Sequence, residues 1–506
     1  MYEAGGWVLL ESTIADLPAD LRWLYESGAV SLDQLAAMHR RLGVTSAADL
    51  AAAVQEHGLR DLEGFDPSAE DAIASALLNL RASTPRIPLG RAMAIAEALL
   101  ARLRAAPGVR WALPAGSLRR GQDTVGDIEL VAAADTAAPA LDEIARAPEV
   151  IRCLHRGDRR VYLLIDRVQV GVRVLEPSNA GSELLYLTGS ARHFDALQAH
   201  AAQRGYRLTS AGLTASNGTR LLAAGEDEIY AALGLPFIPP EIRNGDDEIA
   251  AAARGELPTF VARGDIRGDL HMHSTWSDGR DSIETMVRAC RTIGYEYIAI
   301  TDHSPTSASS RNLSVDGAKK QADEIARLRE QYPDIAILHG CEVDILPDGR
   351  LDFPDRVLER FDIVLASLHE RAGQSSEQLM KRYAAAMQHP LVTLITHPTN
   401  RLVPYREAYD LDYDRLFAMA AGTRTVLEVD GAPTHLDLDG ARARRAVSAG
   451  ATVAVDSDGH RADLLERQMM LAIMTARRGW VEPRHVLNAR PLDEVRAFIA
   501  AKRAGR

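Results

Sequence analysis

Five brief apolar runs in the second half of this chain each end in a potential ligand, and few folds can hold such a pattern. One run leads into Thr301-Asp302-His303 and one from Ile335 into His339-Gly340-Cys341-Glu342. Ile363-Val364-Leu365-Ala366 leads into Ser367-Leu368-His369, Leu391 to Ile395 into Thr396-His397-Pro398, and Thr452 to Val455 into Asp456-Ser457-Asp458-Gly459-His460. Short, nearly unbroken apolar runs are what strands of a parallel sheet covered on both faces look like. A ligand just past each strand end predicts the active-site rim of a β/α barrel. Ahead of these runs, Asp269-Leu-His-Met-His273 is extended, so His271 and His273 point to one side, because strand side chains alternate with period two. Such a pair can hold one metal ion.

From about Arg267 to the C-terminus the chain resembles the PHP (polymerase and histidinol phosphatase) family of metal-dependent phosphoesterases. The resemblance implies nine metal-binding positions, filled here by His271, His273, Asp278, His303, Glu342, His369, His397, Asp458 and His460. It puts one metal on His271, His273, Glu342 and Asp458, a second on Glu342, His369 and His397, and a third on Asp278, His303 and His460. Glu342 bridges. Catalysis is expected of His271, His273, Glu342, Asp458 and His460. Imidazole with carboxylate suits zinc, manganese or iron, and the lack of thiolates argues against a closed structural zinc site. Two to three such divalent ions can lower the pKa of a shared water and clamp a phosphate. His339, His389, His435 and His485 match no motif position and are read as structural.

A length of 506 residues fits about three domains. Three scattered cysteines make no disulfide framework, which fits a reducing cytoplasm. The opening Met1-Tyr2-Glu3-Ala4 carries no export signal, and no apolar run nears the roughly 20 residues of a membrane span. A cytoplasmic chain without a membrane partner is therefore expected.

Residues 1–85 read as short helices, with capping residues at Ser31, Ser46 and Ser68. A helix through Met93, Leu99 and Leu103 opens residues 86–245, followed by strands and turns to about Tyr206. The acidic, alanine-rich stretch within 246–264 is read as a linker, and residues 265–506 as the barrel.

The middle block contains Ala115-Gly-Ser-Leu-Arg-Arg-Gly-Gln-Asp-Thr-Val-Gly-Asp-Ile-Glu129. A Gly-Ser turn offers amides and a hydroxyl, arginines can grip phosphate, and Asp127 and Glu129 at i and i+2 on a strand face one way. This resembles the nucleotidyltransferase palm of family X DNA polymerases, and Tyr186-Leu-Thr-Gly-Ser190 resembles their nucleotide-contacting turn. The order matches bacterial family X polymerases, with a helix-hairpin-helix region and palm ahead of a PHP domain. The resemblance implies nucleotide contacts from Gly116, Ser117, Arg120, Asp127, Glu129 and Gly189, with magnesium or manganese at Asp127 and Glu129. The expected fold is thus multidomain α/β: a helical helix-hairpin-helix-like region, an α+β palm, and a distorted (β/α)7 barrel.

The polymerase pattern is broken where synthesis needs it most. The family's second aspartate is Glu129, and the third falls on Gly171. On a regular strand Asp166 lies on the face of Val168 and Val170, so it cannot easily replace it. The hairpin places Tyr25 to Ser31 and Glu63 to Ser68 keep no Gly-x-Gly, and residues 1–85 hold 5 Arg and no Lys against 13 acids. Duplex affinity rests largely on cations neutralising phosphates, so this region is a poor DNA clamp. The only lysines are Lys319, Lys320, Lys381 and Lys502, which excludes a Schiff-base lyase from the front half.

Together these readings predict a phosphoesterase that trims or unblocks DNA 3′ ends on a polymerase scaffold with weak or lost synthesis. An active family X repair polymerase, and a phosphatase of a small metabolite with a nucleotide-sensing or partner-binding front half, are the alternatives.

Overall fold

The structure is a computed structural model that describes residues 19–505 apart from 27, 45–46, 56, 61, 63–64, 84–85, 308 and 372. Its first unit has helices Ala19–Glu26, Leu32–Leu42, Ala47–Gln55 and Pro67–Ser83. Leu24, Met38, Leu50, Leu59 and Ile73 close a small core between them. Helix Leu32–Leu42 starts as its sequence predicts: Ser31 Oγ accepts from Gln34 N at 3.1 Å while Gln34 Oε1 accepts from Ser31 N at 2.9 Å. The expected cap at Ser68 is corrected. Pro67 takes the first helical position, where a missing N–H costs nothing, and Asp66 accepts from Ala69 N at 2.7 Å. Ser46 and the Glu63-Gly64 hairpin lie outside the described residues.

The second unit is a five-stranded sheet of β1 (Val109–Pro114), β2 (Ile128–Ala134), β3 (Arg152–Arg156), β4 (Arg160–Ile165) and β5 (Val168–Leu175), in the order β1-β2-β5-β4-β3. Only β2 and β5 pair in parallel. Ile128, Leu130, Val170 and Val172 pack under helices Leu89–Ala105 and Ala138–Ala145. By alternation Glu129, Gly171 and Arg173 turn to the opposite face.

Strands do not continue to Tyr206 as expected. Residues Ala138–Ala145, Ala180–Thr188 and Ala191–Gln203 are helices, in keeping with their alanine and leucine content. Ser190 caps the third, accepting from His193 N at 3.2 Å. A small antiparallel sheet of β6 (Tyr206–Thr209), β7 (Gly212–Ala215) and β8 (Arg220–Leu221) follows, and it shares a core with Phe194, Leu197 and Ile229. Within the stretch read as a linker, helix Glu248–Arg254 is docked rather than loose. Buried Glu248 Oε1 lies 2.7 Å from buried His193 Nδ1.

Seven parallel strands form the last unit in sequence order: β9 (Gly268–Asp269), β10 (Tyr297–Ile300), β11 (Ala336–Asp344), β12 (Ile363–Ser367), β13 (Leu394–Ile395), β14 (Val426–Asp430) and β15 (Val453–Asp456). Their ends nearly meet, since Leu270 N donates to Asp456 Oδ1 at 2.8 Å and Met272 bridges Gly459. Leu270, Ala299, Leu365, Leu394 and Ala454 fill one interior cluster with Val495 and Ile499 of helix Leu492–Ala504. The outer strand faces pack beneath the surrounding helices. Burial on both faces explains the unbroken apolar runs.

The barrel is seated on the palm. Leu436 and Leu471 join the palm core, and Asp123 is held by Arg401 at 2.7 Å and by Arg478. Among the described residues, no helix is long and apolar enough to cross a membrane.

Candidate active site

The strand ends bring all nine expected ligand side chains to one mouth. The segment after β9 carries His271, His273 and Asp278, while His303 follows β10, His369 follows β12, His397 follows β13, and Asp458 and His460 follow β15. Glu342 differs from the expectation of a strand-end residue: β11 runs on to Asp344, so its carboxylate projects from the barrel wall.

Glu342 is the centre of the arrangement. Its Oε2 lies 2.9 Å from His303 Nδ1, 3.4 Å from His271 Nε2 and 3.5 Å from His273 Nε2. Its Oε1 lies 3.0 Å from His397 Nε2 and 3.5 Å from His369 Nε2. Asp458 Oδ1 is 3.3 Å from His273 Nε2, and Asp278 Oδ1 is 3.3 Å from His460 Nε2. Three ligand-like groups result: His271, His273 and Glu342; His303, Glu342 and His369; and His273, Asp278, His303 and His460. His397 and Asp458 hold left-handed backbone, at φ of 26° and 49°, the kind of conformational strain that persists where surrounding structure enforces it.

Charge in this cup is strongly coupled. Burial pushes the Glu342 carboxyl up, but the imidazoles of His303, His271 and His369 outweigh it and hold the group well below the usual range. Burial likewise disfavours charge on His303, yet Glu342 and Asp278 raise its pKa to about 10. His273 is pushed down to about 4 by burial and by His460 and His303 beside it. Its neutral ring keeps a lone pair available.

Residues outside the expected set aim these ligands. Glu428 Oε1 lies 2.6 Å from His271 Nδ1, and its Oε2 accepts from His397 N at 2.7 Å. Asp344 Oδ1 lies 2.8 Å from His369 Nδ1. Asp302 accepts from Ser274 N at 2.8 Å and Ser277 N at 3.0 Å, which fixes the loop bearing Asp278. A carboxylate on the far ring nitrogen turns the other nitrogen toward a metal. Sequence reasoning missed all three; the only signal is an acid inside or beside a buried apolar run, as in Val426-Leu427-Glu428-Val429. His435, read as structural, stacks on His397 with centroids 5.1 Å apart.

These donors fit divalent metal. They mix imidazole and carboxylate, and buried Glu342 Oε2 has no hydrogen-bond partner despite three nitrogens within 3.5 Å.

The palm positions are less convergent. Asp127 is exposed and precedes β2, so it does not share the strand with Glu129. Glu129 pairs in register with Gly171, and a Cβ at 171 would lie 2.1 Å from Glu129 Oε2. Arg173 Nε donates to Glu129 Oε1 at 2.7 Å, and Asp49 of the first unit holds Arg173 at 3.0 Å. The carboxylate expected to hold a metal is thus committed to a guanidinium. Asp166 sits in the β4–β5 turn and pairs with Arg91 at 2.8 Å, away from that face.

Arg120 donates to Thr188 O beside Gly189. Burial, with Arg243, Arg478 and Arg86 around it, pushes its pKa down to about 10. Its Nε is buried without a partner, which suits an anion. Gly116 has φ of 58° and opens the short helix Gly116–Arg119 that contains half-buried Ser117.

The PHP domain family matches residues 269–430, and the DNA polymerase beta thumb family matches residues 183–244. Over 494 residues the chain is 35% identical to the DNA polymerase/3′-5′ exonuclease PolX of Bacillus subtilis, spanning 97% of this chain and 86% of that protein. It is 30% identical over 204 residues to a probable phosphatase of Caldanaerobacter subterraneus subsp. tengcongensis, spanning 38% of this chain and 75% of that protein. Among solved structures, Leishmania infantum polymerase beta in a ternary complex is similar at 16% identity and a TM-score of 0.28, over 41% of this chain and 92% of that one.

Proposed function

Because the chain belongs to the family of the Bacillus subtilis DNA polymerase/3′-5′ exonuclease PolX, we propose that its barrel hydrolyses phosphodiesters at DNA 3′ ends and that its palm has lost or weakened synthesis. The observation that carries the reading is the convergence of His271, His273, Asp278, His303, Glu342, His369, His397, Asp458 and His460 on one mouth. We assign these nine as ligands of two to three divalent ions, zinc, manganese or iron. Such ions, when bound, supply Lewis acidity and lower the pKa of water. The protein's own work is orientation: Glu428 fixes the His271 ring, Asp344 fixes His369, and Asp302 holds the loop that presents Asp278. Glu342 keeps its negative charge despite burial and ties the ligand groups together.

Loss of synthesis is argued from Gly171 and Glu129. Two-metal nucleotidyl transfer needs carboxylates free to hold both ions, and Glu129 is instead paired with Arg173. Magnesium or manganese at Asp127 and Glu129 is disfavoured for the same reason. Gly116, Ser117, Arg120 and Gly189 remain a candidate nucleotide pocket. We divide the chain at 1–85, 86–245, 246–264 and 265–506 into helical, palm-and-thumb, connecting and barrel units. Distinct cores favour the helical, palm, thumb and barrel parts, while the connecting stretch packs on the thumb and barrel cores and Leu436 and Leu471 of the barrel join the palm core. Three cysteines free of disulfides support a cytoplasmic setting.

The deciding experiment offers manganese-loaded protein a labelled single-stranded oligonucleotide and a panel of small phosphomonoesters, with Asp458→Ala as control. Nucleotide release from the 3′ end by wild type alone is expected. Turnover of the monoesters alone would favour the small-metabolite reading, and turnover of neither would end the hydrolase assignment.

A further inference from the structure

Three exposed side chains stand on the loops of the barrel mouth without partners of their own. Tyr405 is 81% exposed, and among the described residues its hydroxyl makes no hydrogen bond and its ring meets no other ring or cation. Arg280 and Arg311 are exposed, and neither guanidinium pairs with an acid among the described residues.

Hydrogen bonds tie the segment of each to the expected ligand segments. Tyr405 tips a tight turn in which Arg406 N donates to Leu402 O at 2.7 Å and Leu402 N donates to Arg406 O at 2.9 Å. Arg406 Nη2 donates to Asn400 Oδ1 at 2.6 Å, and Asn400 Nδ2 donates to His369 O at 2.9 Å. Asn400 N also donates to His397 O at 2.9 Å. The turn is therefore braced on two ligand segments. Arg280 N donates to His460 O at 2.8 Å, and Leu313 N, two residues past Arg311, donates to His303 O at 2.8 Å. Arg280 and Arg311 occupy the loops after neighbouring strands β9 and β10, while Tyr405 follows β13, farther round the rim.

An open aromatic face and unneutralised cations around one catalytic mouth suit a polynucleotide end. A base stacks on an exposed ring whatever its sequence, and successive backbone phosphates attract free guanidinium groups. A small phosphomonoester offers no base to stack and no second phosphate. We propose that Tyr405 stacks on the terminal base of a single-stranded 3′ end while Arg280 and Arg311 take the phosphates of the preceding nucleotides. This deepens the 3′-end reading above and rests on it.

The test uses full-length protein and an oligonucleotide ending in 2-aminopurine, its last linkages phosphorothioate to resist cleavage. Wild type and Tyr405→Phe quench the terminal fluorescence on binding. Tyr405→Ala binds about 10-fold more weakly with little quenching, as expected for loss of one stacking contact. Arg280→Ala/Arg311→Ala binds more weakly with a shallower salt dependence, yet keeps the quench at saturation. Equal affinity and equal quenching in Tyr405→Ala and wild type would overturn the proposal, as would no binding by wild type. A cleavable version of the same oligonucleotide separates the two claims. Tyr405-dependent quenching without nucleotide release supports stacking and overturns the hydrolase reading alone.

Discussion

Glu428 spends both carboxylate oxygens on the site, one toward His271 Nδ1 and one on the His397 amide. Replacing it with glutamine keeps the shape but brings an amide donor where an acceptor is needed. Orienting partners of this kind are worth about 10- to 100-fold in metal affinity, and Glu428→Gln should show that loss in a manganese titration of metal-stripped protein. Affinity equal to wild type would mean that Glu428 does not orient the ring. Six of the nine expected ligand positions were legible in the sequence because an apolar run of strand length leads into each, while His271, His273 and Asp278 came from the family resemblance. Glu428 was not legible, since an acid within Val426-Leu427-Glu428-Val429 carries no local sign of what it faces. Gly171 was legible as a missing carboxylate, but not as the space into which Glu129 folds.

Pairs of elements carry the next level of consequence. Strands β2 and β5 leave no room for a side chain at 171, because its Cβ would meet Glu129 Oε2 at 2.1 Å. Gly171→Asp alone should therefore cost about 1–3 kcal/mol of stability through overpacking and like charge. Glu129→Asp in the same chain withdraws the carboxylate and should recover most of the loss, a coupling that a thermal double-mutant cycle reads directly. Additive effects would show that the two side chains do not compete for one space. Palm and thumb are joined by Glu226, which lies 2.6 Å from Arg119 and 2.6 Å from Arg243. Burial raises its pKa, but the two guanidinium groups outweigh burial and lower it to about 2 from an ordinary 4.5. A depressed carboxyl stabilises the fold above its unfolded pKa and loses that contribution as pH falls through the folded one. About 3 kcal/mol should thus disappear between pH 4.5 and 2. Thermal unfolding of wild type should fall through that window more steeply than that of Glu226→Gln, and parallel profiles would contradict the assignment. The helices between residues 138 and 203 were misread because short apolar stretches look alike in either period.

At the scale of the whole molecule, one chain joins a polymerase-like palm to a PHP barrel, and we assign the metal chemistry to the barrel. The order of units was legible from motifs. Their mutual seating was not, because contacts such as Asp123 with Arg401, or Asp49 with Arg173, join residues far apart in sequence with no local pattern to announce them. The seating sharpens the contrast between sites. At the barrel mouth, carboxylates and imidazoles gather around Glu342, whereas on the palm Glu129 is paired with Arg173, which Asp49 of the first unit also holds. The most direct measurement follows the length of an end-labelled primer annealed to a template, with manganese and all four nucleotides present. The account predicts progressive shortening from the 3′ end by wild type and, with Asp458→Ala, a primer that is not shortened and is at most slowly extended. Net lengthening of the primer by wild type, rapid full-length synthesis by Asp458→Ala, or no change with wild type would contradict it.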